Sequence, residues 1–567
     1  MTSDATSSAL LRRVVFGSVI ALYVLAFPYH PGLRSPNELC RLHQTRALVE
    51  YGTIDINQAV RDFGMVGDLS KRDGKLYPSK APLLSFAAVP LYWVLKLFGG
   101  GHLQAVPELP LVFWSRFFLT VLPTLGMLVL VRRFLRAYVS DEIAIGLTAT
   151  YALGSLAFSY SLLFMSHQTT AVLVFAAFYV LWRVLRGDWG AKGTARHRGG
   201  LVLAGALCGA TVAAEYTGAL PVVAVVLYGV IAMLLKRELP LRSRLLEIGE
   251  AAGLATLGAL PFVLGLMAYH DAAFGHPLHS GYKYLNDPQY QPWHMGGFLG
   301  IRFPDPRAFA LSFFSPLRGL FVLSPALLLG VAGVALMWRW RRADGVGSLQ
   351  LAVGSNGNTD GERAALFWLT ALVLAGYTYF TSSFSYDSWG WTTGPRHLTP
   401  LVPFLLLPAA LFLEWLRQRT NGAVFGAAVG LCVASVLVTG LVTFVNYIPD
   451  DVSNPVFALA LPLFRDGFLP PSVFTLQGIA NPYAGVVLLV LLLVACVALF
   501  LVFTSGNQPT GSAKRLIVPA LACVLVCSGV LGVHFASTRN DRADQNSQKF
   551  LRQVWLAKPG EHVEFWP

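Results

Sequence analysis

Apolar runs near 20 residues long recur along this chain, parted by short polar stretches. A helix needs about 20 consecutive apolar residues to cross a bilayer core, so each run predicts a membrane span. The runs lie at 14–28, 111–131, 142–158, 167–185, 200–217, 219–235, 248–269, 320–338, 365–381, 399–416, 422–446, 483–504 and 516–535, thirteen in all. They predict an all-α polytopic membrane protein. Barrel strands would read as short segments of alternating polarity, and no such series is evident. A further apolar run, 81–98, stands apart: it is short, holds Pro82 and Pro90, and carries Lys96.

Basic residues set the orientation. Arg132, Arg133 and Arg136 follow the span at 111–131, and further basic clusters lie at 183–198, 236–244, 339–342, Arg417 with Arg419, and Lys514 with Arg515. Short cytoplasmic loops carry the excess of Lys and Arg. The connections near 159–166, 212–218 and 382–398 hold only Arg396 between them. This contrast predicts a cytoplasmic amino terminus, an extracytoplasmic carboxyl terminus, and a run at 81–98 that does not cross. That run then forms a juxtamembrane or re-entrant helix, tolerated where protein buries its backbone. The first run reads as an uncleaved span. Four outer segments follow: 29–110, 270–319, 447–482 and a tail at 536–567. Residues 1–446 form the transmembrane core, with 447–567 adding an outer loop, two further helices and the tail. Residues 343–364 are rich in Gly, Ser and Asn and read as a flexible linker.

Composition sharpens this picture. Of 567 residues, 55% are hydrophobic and only 13% are charged, against about a quarter charged in soluble domains. The net charge of +13 is explained by basic residues beside spans and anionic lipids, so no nucleic-acid partner is called for. Five of the six cysteines, Cys208, Cys432, Cys496, Cys523 and Cys527, fall in apolar runs, and Cys40 stands alone in a polar block. Neither a disulfide framework nor zinc spacing results. No nucleotide-binding glycine loop occurs.

The chemistry-bearing residues fall on the outer side. The polar block 35–80 opens with Glu38 and ends in Tyr77-Pro78-Ser79-Lys80-Ala81-Pro82. A carboxylate just outside a span suits a general base, or a solvated loop acid. Lys80, stiffened by prolines, suits a phosphate oxygen, or the ordinary reach of a lysine toward the interface. Glu215 lies between apolar stretches, where a carboxylate marks function by default, unless it caps a helix end in water. His167 and Arg396 suit an anion or plain interfacial hydrogen bonding, and Arg116 suits an anion or an interface anchor. Tyr282, Tyr284, Trp293, Trp389 and Trp391 could stack on a sugar ring, although aromatic belts are the competing explanation. His270, His276, His279 and His294 with Asp271 match no recognised metal spacing. No cofactor is expected, and a metal requirement stays open.

Together these residues resemble the membrane glycosyltransferases of the GT-C class, in particular the protein O-mannosyltransferases and the lipid A aminoarabinose transferases. Pro36-Asn37-Glu38 matches the acidic opening of their first outer loop, and the Tyr77–Pro82 stretch matches a Tyr/Phe–x–x–Lys/His–x–Pro element. A juxtamembrane helix and an Arg opening the next span follow, here Arg116. The stretches SPLRGLFVLSPALLLG and WGWTTGPRHLTPLVPFLLLP look like those of bacterial members. The chain departs from the pattern at Asn37, which leaves one carboxylate of an acidic pair, at Ala81 in place of a first proline, and in having only a tail for an outer carboxy-terminal domain.

The resemblance implies an inverting sugar transfer in the bacterial inner membrane, with the active site facing the periplasm or exterior. The donor would be a polyprenyl-phosphate sugar, and the acceptor a hydroxyl of a lipid, glycan or protein. Glu38 would be the base. Lys80, Arg396, His167 and Arg116 would bind the donor phosphate. Tyr77, Glu215, Tyr282 and Trp389 would contact substrate. The other readings are a transporter or flippase for a lipid-linked glycan and a non-catalytic envelope scaffold. A transporter predicts internal repeats and midplane polar residues, whereas the polar residues here gather at one face.

Overall fold

The computed structural model describes residues 2–29, 35–99, 105–236, 239–297, 300–341, 360–384, 390–468, 472–479, 481–505 and 514–556. Most of the predicted linker, and Trp389, lie outside the described residues.

Every one of the thirteen apolar runs is helical, beginning with α1 (Thr2–Leu25). Nine of the described helices are long and apolar enough to cross a membrane, Glu108–Leu135 to Leu516–Ala536. Three runs differ from a simple span, each for a local reason. The run at 142–158 divides into Asp141–Leu153 and Leu156–Ser161, where Ser155 Oγ caps the second piece by accepting from Ala157 N at 3.2 Å. The run at 320–338 divides at Ser324-Pro325. The run at 399–416 begins as a tighter 3₁₀ stretch, Arg396–Leu405, holding Pro400 and Pro403; proline denies the donors that an α-helix needs.

Small residues let helices approach. A Cβ on Gly205 would stand 1.9 Å from Ala255 O, and one on Gly258 would stand 1.9 Å from Val202 O. Helices Ala195–Ala214 and Leu241–Phe274 therefore meet backbone to backbone, as apolar surroundings favour.

The first outer block folds against one end of this bundle. It runs α2 (Pro36–Arg46), α3 (Asn57–Phe63), β1 (Leu69–Arg72), β2 (Lys75–Pro78) and α4 (Leu83–Phe98). The two strands form an antiparallel hairpin, with Leu69 opposite Pro78 and Ser70 opposite Tyr77. Its two-residue turn is Asp73-Gly74, with φ of 50° and 78°, the left-handed pair that Asp-Gly accepts most readily. A hairpin in this block was not anticipated. The apolar run at 81–98 is α4, about 24 Å long at 1.5 Å per residue, short of a hydrocarbon core of about 30 Å. It buries Leu84, Ala88 and Tyr92 and exposes Phe86, Trp93, Leu97 and Phe98. Tyr92 and Lys96 both reach Glu50, at 2.5 Å each, which ties α4 to the turn after α2.

The carboxyl-terminal tail contains a helix. Arg542–Leu556 is a helix held by Asp544, which accepts from Ser453 N and Oγ at 2.7 Å.

Candidate functional site

The hairpin sets the first two charges. Leu69 and Pro78 end its ladder, and just beyond them Ser79 N donates to Asp68 O at 2.8 Å. Asp68 takes a left-handed φ of 58°, a conformation that Asp tolerates better than most residues. Across the hairpin mouth, Lys80 Nζ lies 3.1 Å from Asp68 Oδ1. Burial works against the Lys80 ammonium, but Asp68 outweighs it and holds the group above its ordinary value. Burial likewise penalises the Asp68 carboxylate, yet Lys80 and then Arg396 keep it below the usual range.

A second outer segment closes over this pair. Ser70 Oγ donates to Gly281 O at 2.7 Å, and Asn286 N donates to Leu69 O at 2.8 Å. Gly281 is required by the fit, since a Cβ there would stand 2.8 Å from Ser70 Oγ. This docking brings Tyr282 over Lys80, whose Nζ is 5.4 Å from the ring centroid. His294 stacks on Tyr282 with centroids 4.4 Å apart. Burial, then the Lys80 charge, pushes His294 down to about 4, so its ring is neutral at physiological pH.

The helix ends supply the remaining groups. His167, in the first turn of Ser166–Leu185, lies with its ring 5.0 Å from that of His397. Among the described residues its buried Nε2 has no hydrogen-bond partner, and neither has Arg396 Nε. Ser166 Oγ donates to Glu215 Oε2 at 2.5 Å, and His167 Nδ1 stands 3.9 Å from the same oxygen. Arg41 clamps the assembly, giving Nε to Asn37 Oδ1 at 3.2 Å, Nη1 to Ala81 O at 2.8 Å and Nη2 to Ser166 Oγ at 3.0 Å.

Of the expected site residues, Lys80, Arg396, His167, Glu215 and Tyr282 are therefore brought together. Glu38 and Arg116 are paired with each other instead. Arg116 Nε and Nη2 donate to the two oxygens of Glu38 at 2.8 Å each. Phe164 N donates to Oε1 at 2.5 Å, and Tyr447 Oη donates to Oε2 at 3.1 Å. An ionised carboxylate offers about four acceptor positions, and four donors fill them. Arg116 Nη1 is spent on Pro28 O at 2.9 Å. The pair braces the outer block from a buried position: the carboxylate accepts four hydrogen bonds, and three of the five N–H groups of the guanidinium are engaged. Tyr77 also differs from expectation. It is buried against Phe274, with centroids 5.5 Å apart, in an apolar cluster with Tyr269 and Ala273, and so packs the hairpin onto helix Leu241–Phe274.

Sequence reasoning counts Asp68 among the polar residues of the outer block without giving it a role, and passes over Arg41 and Ser166. Asp68 had one available signal, an acid placed twelve residues before Lys80 around an Asp-Gly turn. Among the described residues, no three or more of His, Cys, Asp and Glu form a group that could hold a metal ion.

No family model and no curated protein matches the chain. Among solved structures it is similar to ArnT from Cupriavidus metallidurans bound to undecaprenyl phosphate, at 16% identity and a TM-score of 0.47, over 92% of this chain and 78% of that one. It is similar to the same protein in the apo state at a TM-score of 0.48 and 16% identity, with the same coverage. It is also similar to the Archaeoglobus fulgidus oligosaccharyltransferase in complex with Zn and sulfate, at 14% identity and a TM-score of 0.42, over 75% of this chain and 52% of that one.

Proposed function

We propose that this chain is an inverting glycosyltransferase. It moves a sugar from a polyprenyl-phosphate donor to a hydroxyl of a lipid, glycan or protein acceptor, at the outer face of a bacterial inner membrane. The observation that carries this reading is the convergence of Lys80 and Arg396. They come from segments more than 300 residues apart in sequence, and a chain of ring contacts links them: Lys80 Nζ to Tyr282 at 5.4 Å, Tyr282 to His294 at 4.4 Å, His294 to Phe384 at 5.7 Å, and Phe384 to His397, the neighbour of Arg396, at 6.4 Å. Within this cluster Lys80, Arg396 and Arg41 face Asp68 and Glu215, three cations against two carboxylates, which leaves positive charge for an anion to neutralise. Fixed cations in a water-poor site are the expected main source of leaving-group stabilisation.

The leaving group is a phosphodiester that becomes a phosphomonoester and gains negative charge. Lys80 and Arg396 hold that charge, and the unpartnered His167 Nε2 adds a hydrogen-bonding group. The Tyr282–His294 stack offers a flat aromatic wall to the sugar. The Glu38–Arg116 brace holds the outer block against the helices. The reaction so written draws on no nucleotide and no cofactor.

The test is a panel of radiolabelled polyprenyl-phosphate sugars, with envelope lipid as acceptor source, given to the purified protein and to Lys80→Ala. One donor should transfer, and Lys80→Ala should lose about 10²–10³-fold in rate, the usual cost of removing one such electrostatic donor. Transfer at full rate in Lys80→Ala, or no binding of any donor, would overturn the reading.

A further inference from the structure

The transfer changes the charge that the cluster must hold. The donor's phosphodiester carries one negative charge. The phosphomonoester left behind carries close to two near neutral pH, because its second pKa is about 6. Cations that stabilise the leaving group therefore hold the product more tightly than the donor, and product release sets many turnover rates. A group beside the cations that opposes the second charge would speed release.

Asp68 stands where such a group is needed. Its Oδ1 lies 3.1 Å from Lys80 Nζ, and the two side chains differ in access: 32% of Asp68 is exposed, against 9% of Lys80. The ammonium is enclosed, whereas the carboxylate can turn toward water. The backbone that carries it is fixed on both sides. A Cβ on Gly67 would stand 3.1 Å from Pro36 Cβ, and Asp68 O accepts from Ser79 N at 2.8 Å. Among the described residues the Asp68 side chain forms one ion pair, with Lys80. Burial penalises its charge, but Lys80 holds it below the usual carboxylate range, so it is ionised at neutral pH.

The geometry sets a bound on what a phosphate would meet. An oxygen held by Lys80 Nζ at about 2.8 Å lies no farther than about 6 Å from Asp68 Oδ1 while the ion pair keeps its 3.1 Å. Any phosphate on Lys80 thus feels the carboxylate at close range. Repulsion between like charges scales with the product of the charges, so it weighs about twice as heavily on the dianion as on the monoanion.

We propose that Asp68 is a product-expelling counter-ion: it shares Lys80 with the phosphate and disfavours the doubly charged product more than the singly charged donor. This role rests on the glycosyltransferase reading above. Asp68 pairs with Lys80 in the empty protein, yields part of the ammonium to the donor, and reclaims it as the product leaves. It acts through Lys80 and touches no reacting atom.

Two probes test the role before any sugar is identified. Farnesyl phosphate and its monomethyl ester are respectively close to a dianion and a monoanion at pH 8. Their binding to the detergent-purified wild type, Asp68→Asn and Asp68→Glu is read by titration calorimetry. Asp68→Asn is expected to bind farnesyl phosphate about 10–30-fold more tightly than wild type, and the ester at most about fivefold more tightly. Asp68→Glu keeps the charge and is expected to bind both probes within about threefold of wild type. With a transferring donor, Asp68→Asn should complete its first turnover at no less than the wild-type rate and then stall, so that kcat and donor KM fall together. Equal tightening of both probes, or weakening of both, makes Asp68 a structural partner of Lys80 and overturns the proposal, as does loss of folding in Asp68→Asn. Binding of neither probe to the wild type removes the phosphate site itself, and with it the transferase reading.

Discussion

Glu38 and Arg116 stand 78 residues apart in sequence and meet at 2.8 Å through two parallel hydrogen bonds. Position after a span makes Glu38 look like a base, and only the fold reveals that its oxygens are occupied. Removing one partner of a buried pair leaves the other charge uncompensated, at a cost of about 3–5 kcal/mol, whereas replacing both with apolar residues of similar size is often neutral or stabilising. Glu38→Gln should therefore lower the thermal midpoint sharply. The double variant Glu38→Leu with Arg116→Met should recover most of that loss and keep measurable transfer. Melting curves in detergent, read beside activity, decide between brace and base. A Glu38→Gln protein that melts like wild type yet transfers nothing would return the base role to Glu38.

At the scale of elements, the helices were readable and the hairpin was not. An apolar run near 20 residues is a long, redundant signal, so each of the thirteen runs yields helix even where proline or a serine cap breaks it. The hairpin is carried by two strands of four residues, too short for alternation to rise above noise, and its Asp-Gly turn is the one local cue. Contacts between distant segments, such as Ser70 with Gly281, have no local cue at all. That is why Lys80 could be picked out as an isolated cation while Asp68, its ion-pair partner, had no role to read from sequence. The turn has a function in this account: it fixes the strand register that sets Asp68 opposite Ser79 and so places Lys80. Gly74 has open space around an added Cβ and a φ of 78°, so Gly74→Ala introduces backbone strain alone, about 1–2 kcal/mol. The expected result is a small loss of stability with a raised donor KM and a nearly unchanged kcat. Steady-state kinetics on the variant would count against the hairpin as a positioning device if donor KM stayed at the wild-type value.

Across the whole molecule, charge is sorted by bundle end. Helix Ser166–Leu185 carries His167 at one end and Arg183 at the other, and Arg396–Arg419 carries Arg396 at one end and Arg417 at the other. A 20-residue helix is about 30 Å long, so the residue cluster around Lys80 and the basic end are separated by about the thickness of a hydrocarbon core. The basic end is knitted together. Arg12 meets Asp141 at 2.7 Å, Arg132 meets Asp141 at 3.0 Å, and Arg186 meets Glu362 at 3.0 Å. If short basic loops stay in the cytoplasm, the hairpin and the cluster around Lys80 face outward, where a lipid-linked sugar is reached without nucleotide chemistry. The two faces can be told apart with a membrane-impermeant maleimide on intact cells. A cysteine at Lys75, exposed on the hairpin, should label directly. A cysteine at Arg198, exposed at the basic end, should label only after the membrane is opened. The reverse pattern would turn the Lys80 cluster to the cytoplasm, where nucleotide-activated sugars compete as donors and the case for a lipid-phosphate donor loses its footing.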